Sequence, residues 1–202
     1  TRCQPVTGVQ TCALPILINT PADAIRYRIG LVPEDRKGAG LVLNQSISFN
    51  LTIGVLKSFI HGIRVDSNQE NAIVDRYRNI LSIKSSGPDQ KCKELSGGNQ
   101  QKVVLSKWMA TDPEILILDE PTRGIDVGAK KEIYDLINRL SAQGLAILFI
   151  SSDLPEIIHL SHRVMIMCDG EIVKEIDAEQ EELTQIKIMN YAIGRDEDGG
   201  NG

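Results

Sequence analysis

At 202 residues, 42% of them hydrophobic and 24% charged, the chain has the length for one domain with a full core and is too short for two comfortable ones. Its net charge of −5 argues against broad electrostatic binding to nucleic acid or to an anionic membrane. No apolar run approaches the roughly 20 residues that span a bilayer, so any membrane role must go through a partner.

In chain order, Val6 to Ile16 (V-T-G-V-Q-T-C-A-L-P-I) fit no structural pattern. They lack the basic start and long apolar core of a signal peptide. They look like the in-frame translation of a short-read sequencing adapter, so residues 1–16 are expected to be a non-native artefact and are set aside. Thr20-Pro21-Ala22-Asp23 predicts a helix start, threonine as cap and proline in the first turn, with the helix ending near Arg28. Ile29-Gly30-Leu31-Val32 reads as a short core strand leading into the charged Glu34-Asp35-Arg36-Lys37. Gly38-Ala39-Gly40 follows this run and reads as a loop. From Ser48 to about Trp108 the pattern is helical: Ser48 or Asn50 can cap a helix through Leu51, Ile53, Val55 and Leu56. Ile73, Val74, Tyr77, Ile80 and Leu81 recur at helical spacing, so an amphipathic helix is expected over Asn68–Ser82. Ser85-Ser86-Gly87-Pro88-Asp89 breaks it, and His61, beside Gly62, reads as a surface histidine in a turn.

Leu95 to Asp126 carries the chemistry. Leu95-Ser96-Gly97-Gly98 reads as a loop opening a helix through Met109; a hydroxyl and two glycines there offer bare backbone N–H groups and a positive dipole end to an anion. Ile115-Leu116-Ile117-Leu118 is an unalternating apolar run, the pattern of a central parallel strand buried on both faces. It delivers Asp119 and Glu120 to its carboxyl end, where open α/β sheets gather their ligands. Two acids there suit phosphate–metal chemistry, one holding Mg²⁺ and the other handling a water. Val127 to Ala142 reads as an amphipathic helix, Leu145 to Ile150 as the next buried strand, and Arg163–Ile176 as two strands across the turn Asp169-Gly170. A last helix over Leu183–Ala192 and an acid- and glycine-rich disordered tail, 195–202, complete the reading. Cys3, Cys12, Cys92 and Cys168 show no metal-binding spacing and are expected to be reduced thiols.

These residues resemble a known family. Leu95–Gln101 looks like the signature loop of ABC-type ATPases, Ile115–Glu120 like their Walker B strand, and Pro121–Asp126 like the D-loop. With Val32-Pro33-Glu34-Asp35-Arg36-Lys37 upstream, the Asn99-Gln100-Gln101 form is similar to the second nucleotide-binding domain of tandem bacterial sugar importers of the ribose, galactose, arabinose and xylose type. The match runs from about Asn19 to Gly194.

The resemblance implies an α/β P-loop NTPase fold, its mostly parallel sheet accompanied by a helical subdomain over about 48–108. It also implies truncation. The sequence has no Gly-Lys dipeptide and hence no G-x-x-x-x-G-K-[ST], so the Walker A strand and the antiparallel β-subdomain are expected to be missing, upstream of Asn19. ATP and Mg²⁺ are the implied cofactors. By resemblance Ser96, Gly97, Gly98 and Asn99 complete the nucleotide site of a partner domain, Asp119 binds Mg²⁺ through water, Glu120 activates the attacking water, and Asp126 links the two sites.

Two positions depart from the pattern. By resemblance Glu34 stands at the usual Q-loop glutamine, where a glutamate can still contact the metal but adds negative charge near Asp119 and Glu120; a solvated E-D-R-K loop is the rival reading of that run. Ser152 stands at the switch histidine, and a serine cannot carry a proton or a charge near neutral pH. The composite site using this strand is therefore expected to be slow or inactive.

The implied partners are a second nucleotide-binding domain, membrane permease subunits and, indirectly, a periplasmic sugar-binding protein, with no nucleic acid. The implied place is the cytoplasmic face of the membrane, peripherally, through the permease. The rival readings are a degenerate, non-catalytic half lending only its signature loop, and a soluble ABC protein of translation or DNA repair. Alone, the chain is expected to bind ATP poorly and to hydrolyse it negligibly.

Overall fold

A computed structural model describes residues 17–61 and 64–194. The expected adapter-derived segment 1–16, with Cys3 and Cys12, and the expected tail 195–202 lie outside the described residues.

Three parallel strands in the order β1-β4-β5 form the centre: β1 (Ile29–Val32), β4 (Ile115–Asp119) and β5 (Ala146–Ile150). Before them, α1 (Pro21–Arg26) is closed at its start by a capping box, Thr20 and Asp23 satisfying one another's backbone N–H groups. It ends two residues short of Arg28, which sits at φ +58° and bridges Asp112 and Glu114. The expected loop at Gly38–Gly40 is instead a π-helical turn, Arg36–Gly40, because the Asp35 carboxylate caps the N–H groups of Lys37 and Gly38.

α2 (Ile47–Thr52) is capped by Ser46, not by Ser48 or Asn50. Asn50 is spent elsewhere: its amide bonds both backbone groups of Val42. The helix does not run on through Leu56 but tightens into a 3₁₀ segment, Ile53–Ser58, with Val55 out of helical geometry. A two-stranded pair, β2 (Ile60–His61) and β3 (Arg64–Val65), stands where a simple turn was expected. α3 (Ser67–Ile80), α4 (Gly97–Met109) and α5 (Val127–Ala142) then follow their apolar periodicity closely.

Sheet burial departs from expectation. Gly30, Val32, Leu116 and Leu118 are buried, in one core with Val103, Val104 and Leu105 of α4 and Ile133, Leu136 and Ile137 of α5. The opposite face, which the register builds from Leu31, Ile115, Leu148 and Ile150, is open to solvent. The apolar run of β4 is thus covered on one side only, and β5 is an edge strand with Leu148 41% and Ile150 46% exposed.

α6 (Leu154–Leu160), β6 (Arg163–Cys168), β7 (Glu171–Asp177) and α7 (Gln185–Ala192) form a smaller second cluster around Ile157, Val164, Ile166, Ile176 and Ile188. Asp169 and Gly170 both take positive φ, as the expected two-residue hairpin turn requires. Cys92 and Cys168 are free thiols, and burial pushes Cys92 up to about 11. No helix among the described residues is long and apolar enough to cross a membrane.

Candidate functional site

β4 delivers Asp119, half-buried, to the carboxyl edge of the sheet, and the chain turns sharply at Glu120. Glu120 adopts φ +43°, a left-handed conformation that costs energy for any residue but glycine. Two bonds hold it there. Its N–H donates to the carbonyl of Ile150 at 2.9 Å, and its Oε1 accepts the backbone N–H of Ser152 at 2.7 Å. Strain fixed by its surroundings fits a residue placed for chemistry. Ser152, expected at the switch position, thus addresses Glu120 with its backbone. A cleft of about 370 Å³ opens here, lined by Glu120, Arg123, Lys130, Ser152 and Asp153 among others.

The floor of this cleft is a polar knot that sequence reading missed. Glu156, on α6 and only 2% exposed, accepts from Thr122, from Lys130 Nζ at 2.8 Å, from Tyr134 at 2.7 Å and from Ser151 at 3.0 Å. Lys130 also reaches Asp153 at 3.0 Å. One carboxylate therefore ties the loop after β4, the loop after β5 and helix α5 together. Burial alone would raise the Glu156 pKa; the bonds from Lys130, Thr122, Tyr134 and Ser151 outweigh it and hold the carboxyl below the ordinary range. Lys130 is raised in turn by its bonds to Glu156 and Asp153, and burial with the Glu156 bond lifts Tyr134 to about 12. The available signal was a lone carboxylate beside Ile157 and Ile158 in a short helix, where an apolar residue would be expected.

The other candidates lie at the start of α4. Ser96 is its N-cap, and its Oγ also accepts the Asn99 amide at 2.9 Å. Asn99 Oδ1 accepts the N–H of Lys84 at 2.8 Å. Gly97 and Gly98 occupy the first turn, whose backbone donors face the N-terminal end of the helix dipole. Both are confined. A Cβ on Gly97 would lie 3.0 Å from Arg36 Nη2, and one on Gly98 would lie 2.5 Å from the Ala129 Cβ.

Asp126 caps α5 through the Ala129 N–H at 2.9 Å. Glu34 is exposed and forms an ion pair with Arg123, a residue of the cleft wall. The structure therefore joins Glu120 directly to Ser152 and brings Glu34 to the cleft rim through Arg123. Ser96–Asn99 stand apart from Glu120, at the other end of the Pro121–Asp126 loop.

Asp119 and Glu120 suit a hard divalent cation of the Mg²⁺ kind, which is held by one or two carboxylates together with phosphate oxygens. Among the described residues no group of three or more His, Cys, Asp and Glu is gathered into a self-sufficient metal site. The chain has carboxylates for such a cation at β4 and bare helix donors for an anion at α4.

Comparison with known proteins gives a consistent result. Residues 17–123 match the family described as ABC transporter. The chain is 50% identical over 182 residues to the ribose import ATP-binding protein RbsA of Shouchella clausii, covering 90% of this chain and 36% of that protein. It is 48% identical over 180 residues to the protein of the same name from Geobacillus kaustophilus, again with 36% of the relative covered. The chain thus spans about a third of the length of these curated relatives. Among solved structures it resembles a dimeric ATP-binding cassette in a post-hydrolysis state bound to ADP and phosphate, with a TM-score of 0.65 at 20% identity, 79% of this chain and 68% of that one being covered. It also resembles a nucleotide-free cassette from an ABC transporter, with a TM-score of 0.62 at 23% identity, covering 78% and 64%. At these identities the likeness concerns the fold.

Proposed function

The chain belongs to the ABC transporter family, and from that premise we propose that it is part of the ATP-binding subunit of a sugar importer, within the second nucleotide-binding domain of a tandem pair. Its work is to couple ATP binding and hydrolysis to carbohydrate uptake. The relatives named ribose import ATP-binding protein support a pentose or similar sugar as cargo. The observation that carries the catalytic reading is the strained Glu120 held by the Ser152 N–H at the end of the β4 strand.

In this reading Asp119 holds Mg²⁺ through water, and the ion supplies positive charge to the phosphates. Glu120 orients and deprotonates the attacking water. Ser96, Gly97, Gly98 and Asn99 grip the terminal phosphate bound by a second nucleotide-binding domain, using the free donors of the first turn of α4. Asp126 links the two sites through the α5 cap, and Glu34 faces the permease side with its charge partly neutralised by Arg123. Permease subunits hold the assembly at the cytoplasmic face of the membrane, and a periplasmic sugar-binding protein feeds it.

A second reading has its own support. Ser152 offers no titrating side chain, so this half could serve mainly to lend its α4 terminus to the partner domain. Glu120→Gln in the full importer separates the two. Catalysis here predicts a fall in ATP turnover of roughly two to three orders of magnitude, the usual cost of losing one such group. Unchanged turnover would leave this half a binding module. Failure to co-purify with a membrane permease would remove the transport reading altogether.

A further inference from the structure

Arg36 reaches across the molecule to a place its sequence neighbours do not indicate. Its Nη1 donates to the carbonyl of Arg123 at 2.7 Å, and its Nη2 to that of Gly124 at 3.1 Å. These carbonyls lie two and three residues before Asp126, the N-cap of α5, and Gly124 has φ +68°. The same Nη2 lies against Gly97, with only 3.0 Å to where a Cβ would stand, and the Nε is buried without a hydrogen-bond partner. One planar guanidinium thus fills the junction between the start of α4 and the loop leading to α5, bonding two carbonyls in its fixed fork.

The turn that carries Arg36 is anchored at both ends. The Asp35 carboxylate caps its start. At its close, Gly40 packs against Val104, 3.1 Å from where its Cβ would be, and its carbonyl accepts Lys107 Nζ at 2.5 Å. A displacement of the segment around Glu34 therefore has a stiff route to residues 123–126 and to Gly97. The Glu34–Arg123 ion pair runs parallel to it, but both of its side chains are largely exposed, where ion pairs contribute little.

We propose that Arg36 is a positioning residue that sets the loop 123–126 against the N-terminus of α4, so that the segment carrying Glu34, the Asp126 loop and the Gly97–Gly98 turn move as one unit. The proposal deepens the functional reading above and rests on it for its catalytic consequence. Its geometric content stands on the contacts alone.

Two measurements test it. In this chain, Arg36→Lys keeps the charge but loses the fixed planar fork that bonds both carbonyls, and Arg36→Gln loses the charge as well. Hydrogen exchange at residues 122–126 is expected to quicken by about tenfold, the effect of losing one charge-assisted bond, while β4 and α5 beyond their first turns stay as in the wild type. In the full importer, Arg36→Lys and Arg36→Gln are expected to lower kcat by about tenfold with KM for ATP changed less than about twofold, since the pocket is intact and its completion is not. Unaltered exchange at 122–126 in both variants would overturn the proposal, as would an unaltered kcat beside faster exchange. Should the wild-type importer fail to hydrolyse ATP, the functional reading falls while the exchange experiment still decides the role of Arg36.

Discussion

Glu156 carries its charge where a carboxylate is costly, and four donors are what hold it there. Removing the charge leaves Lys130, Thr122, Tyr134 and Ser151 facing a weaker acceptor, so Glu156→Gln should cost about 2 kcal/mol at neutral pH, within the range for hydrogen bonds to a charged group. The pH dependence follows from the direction of the shift. A carboxyl held below its ordinary 4.5 stabilises the fold above that pH and loses its contribution as acid carries the pH down through the depressed folded-state value. Urea unfolding of wild type and Glu156→Gln at pH 7 and at about pH 4 should therefore show the gap between them narrowing in acid. An equal gap at both would mean that the carboxylate is not the group being titrated. At the alkaline end the sign reverses: Lys130 and Tyr134 are both raised, so their share is present below their ordinary values and fades only as base carries the pH through the higher folded ones.

Among elements, the α4–α5 contact explains a glycine that the functional motif alone would claim. Gly98 faces Ala129 so closely that a Cβ would stand 2.5 Å from the alanine methyl, and further along the same helices Lys102 Nζ meets Glu132 at 2.6 Å. Gly98→Ala must push two helix backbones apart, at about 1–3 kcal/mol for overpacking. Gly97→Ala meets the end of the Arg36 side chain at 3.0 Å and the Gly124 carbonyl and Ile125 at 3.4 and 3.5 Å, a looser fit than the 2.5 Å at Gly98, and should cost less. Urea midpoints with unchanged slopes would establish that order; equal stability of the two variants would refute it.

The same helices show what a sequence discloses. The starts of α4 and α5 were legible because Ser96 and Asp126 are local caps preceding apolar periodicity. The Ser46 cap was missed because Ser48 and Asn50 are equally good capping types two and four residues on. The bare face of β1-β4-β5 was hidden because a continuous apolar run signals two covered faces and cannot report which cover is present. The contacts of Arg36 and Glu156 were hidden for a different reason: Arg123 lies 87 residues from Arg36, and Thr122 lies 34 from Glu156.

Across the whole molecule, two apolar clusters of unequal size share few links. The larger gathers β1, β4 and helices α2 to α5, and the smaller rests on five buried residues among those described, from Ile157 to Ile188. Phe149 packs against both. The Glu156 knot is the main polar tie between them, since Thr122, Lys130 and Tyr134 belong to one side and α6 to the other. A small cluster attached mainly through Phe149, Leu160 of α6 and one carboxylate should open below the free energy of global unfolding. Native-state hydrogen exchange should then place the β6–β7 hairpin at a lower opening free energy than β4 or the centre of α4. Glu156→Gln should lower both values by a similar amount, about 2 kcal/mol, because either opening breaks the knot and the loss falls on the native state. If hairpin and α4 amides of the wild type instead shared one opening free energy, the molecule would unfold as a single unit. The polar floor of the cleft would then be part of one core, and a movement at α6 could not reach Glu120 and Ser152 without loosening the fold as a whole.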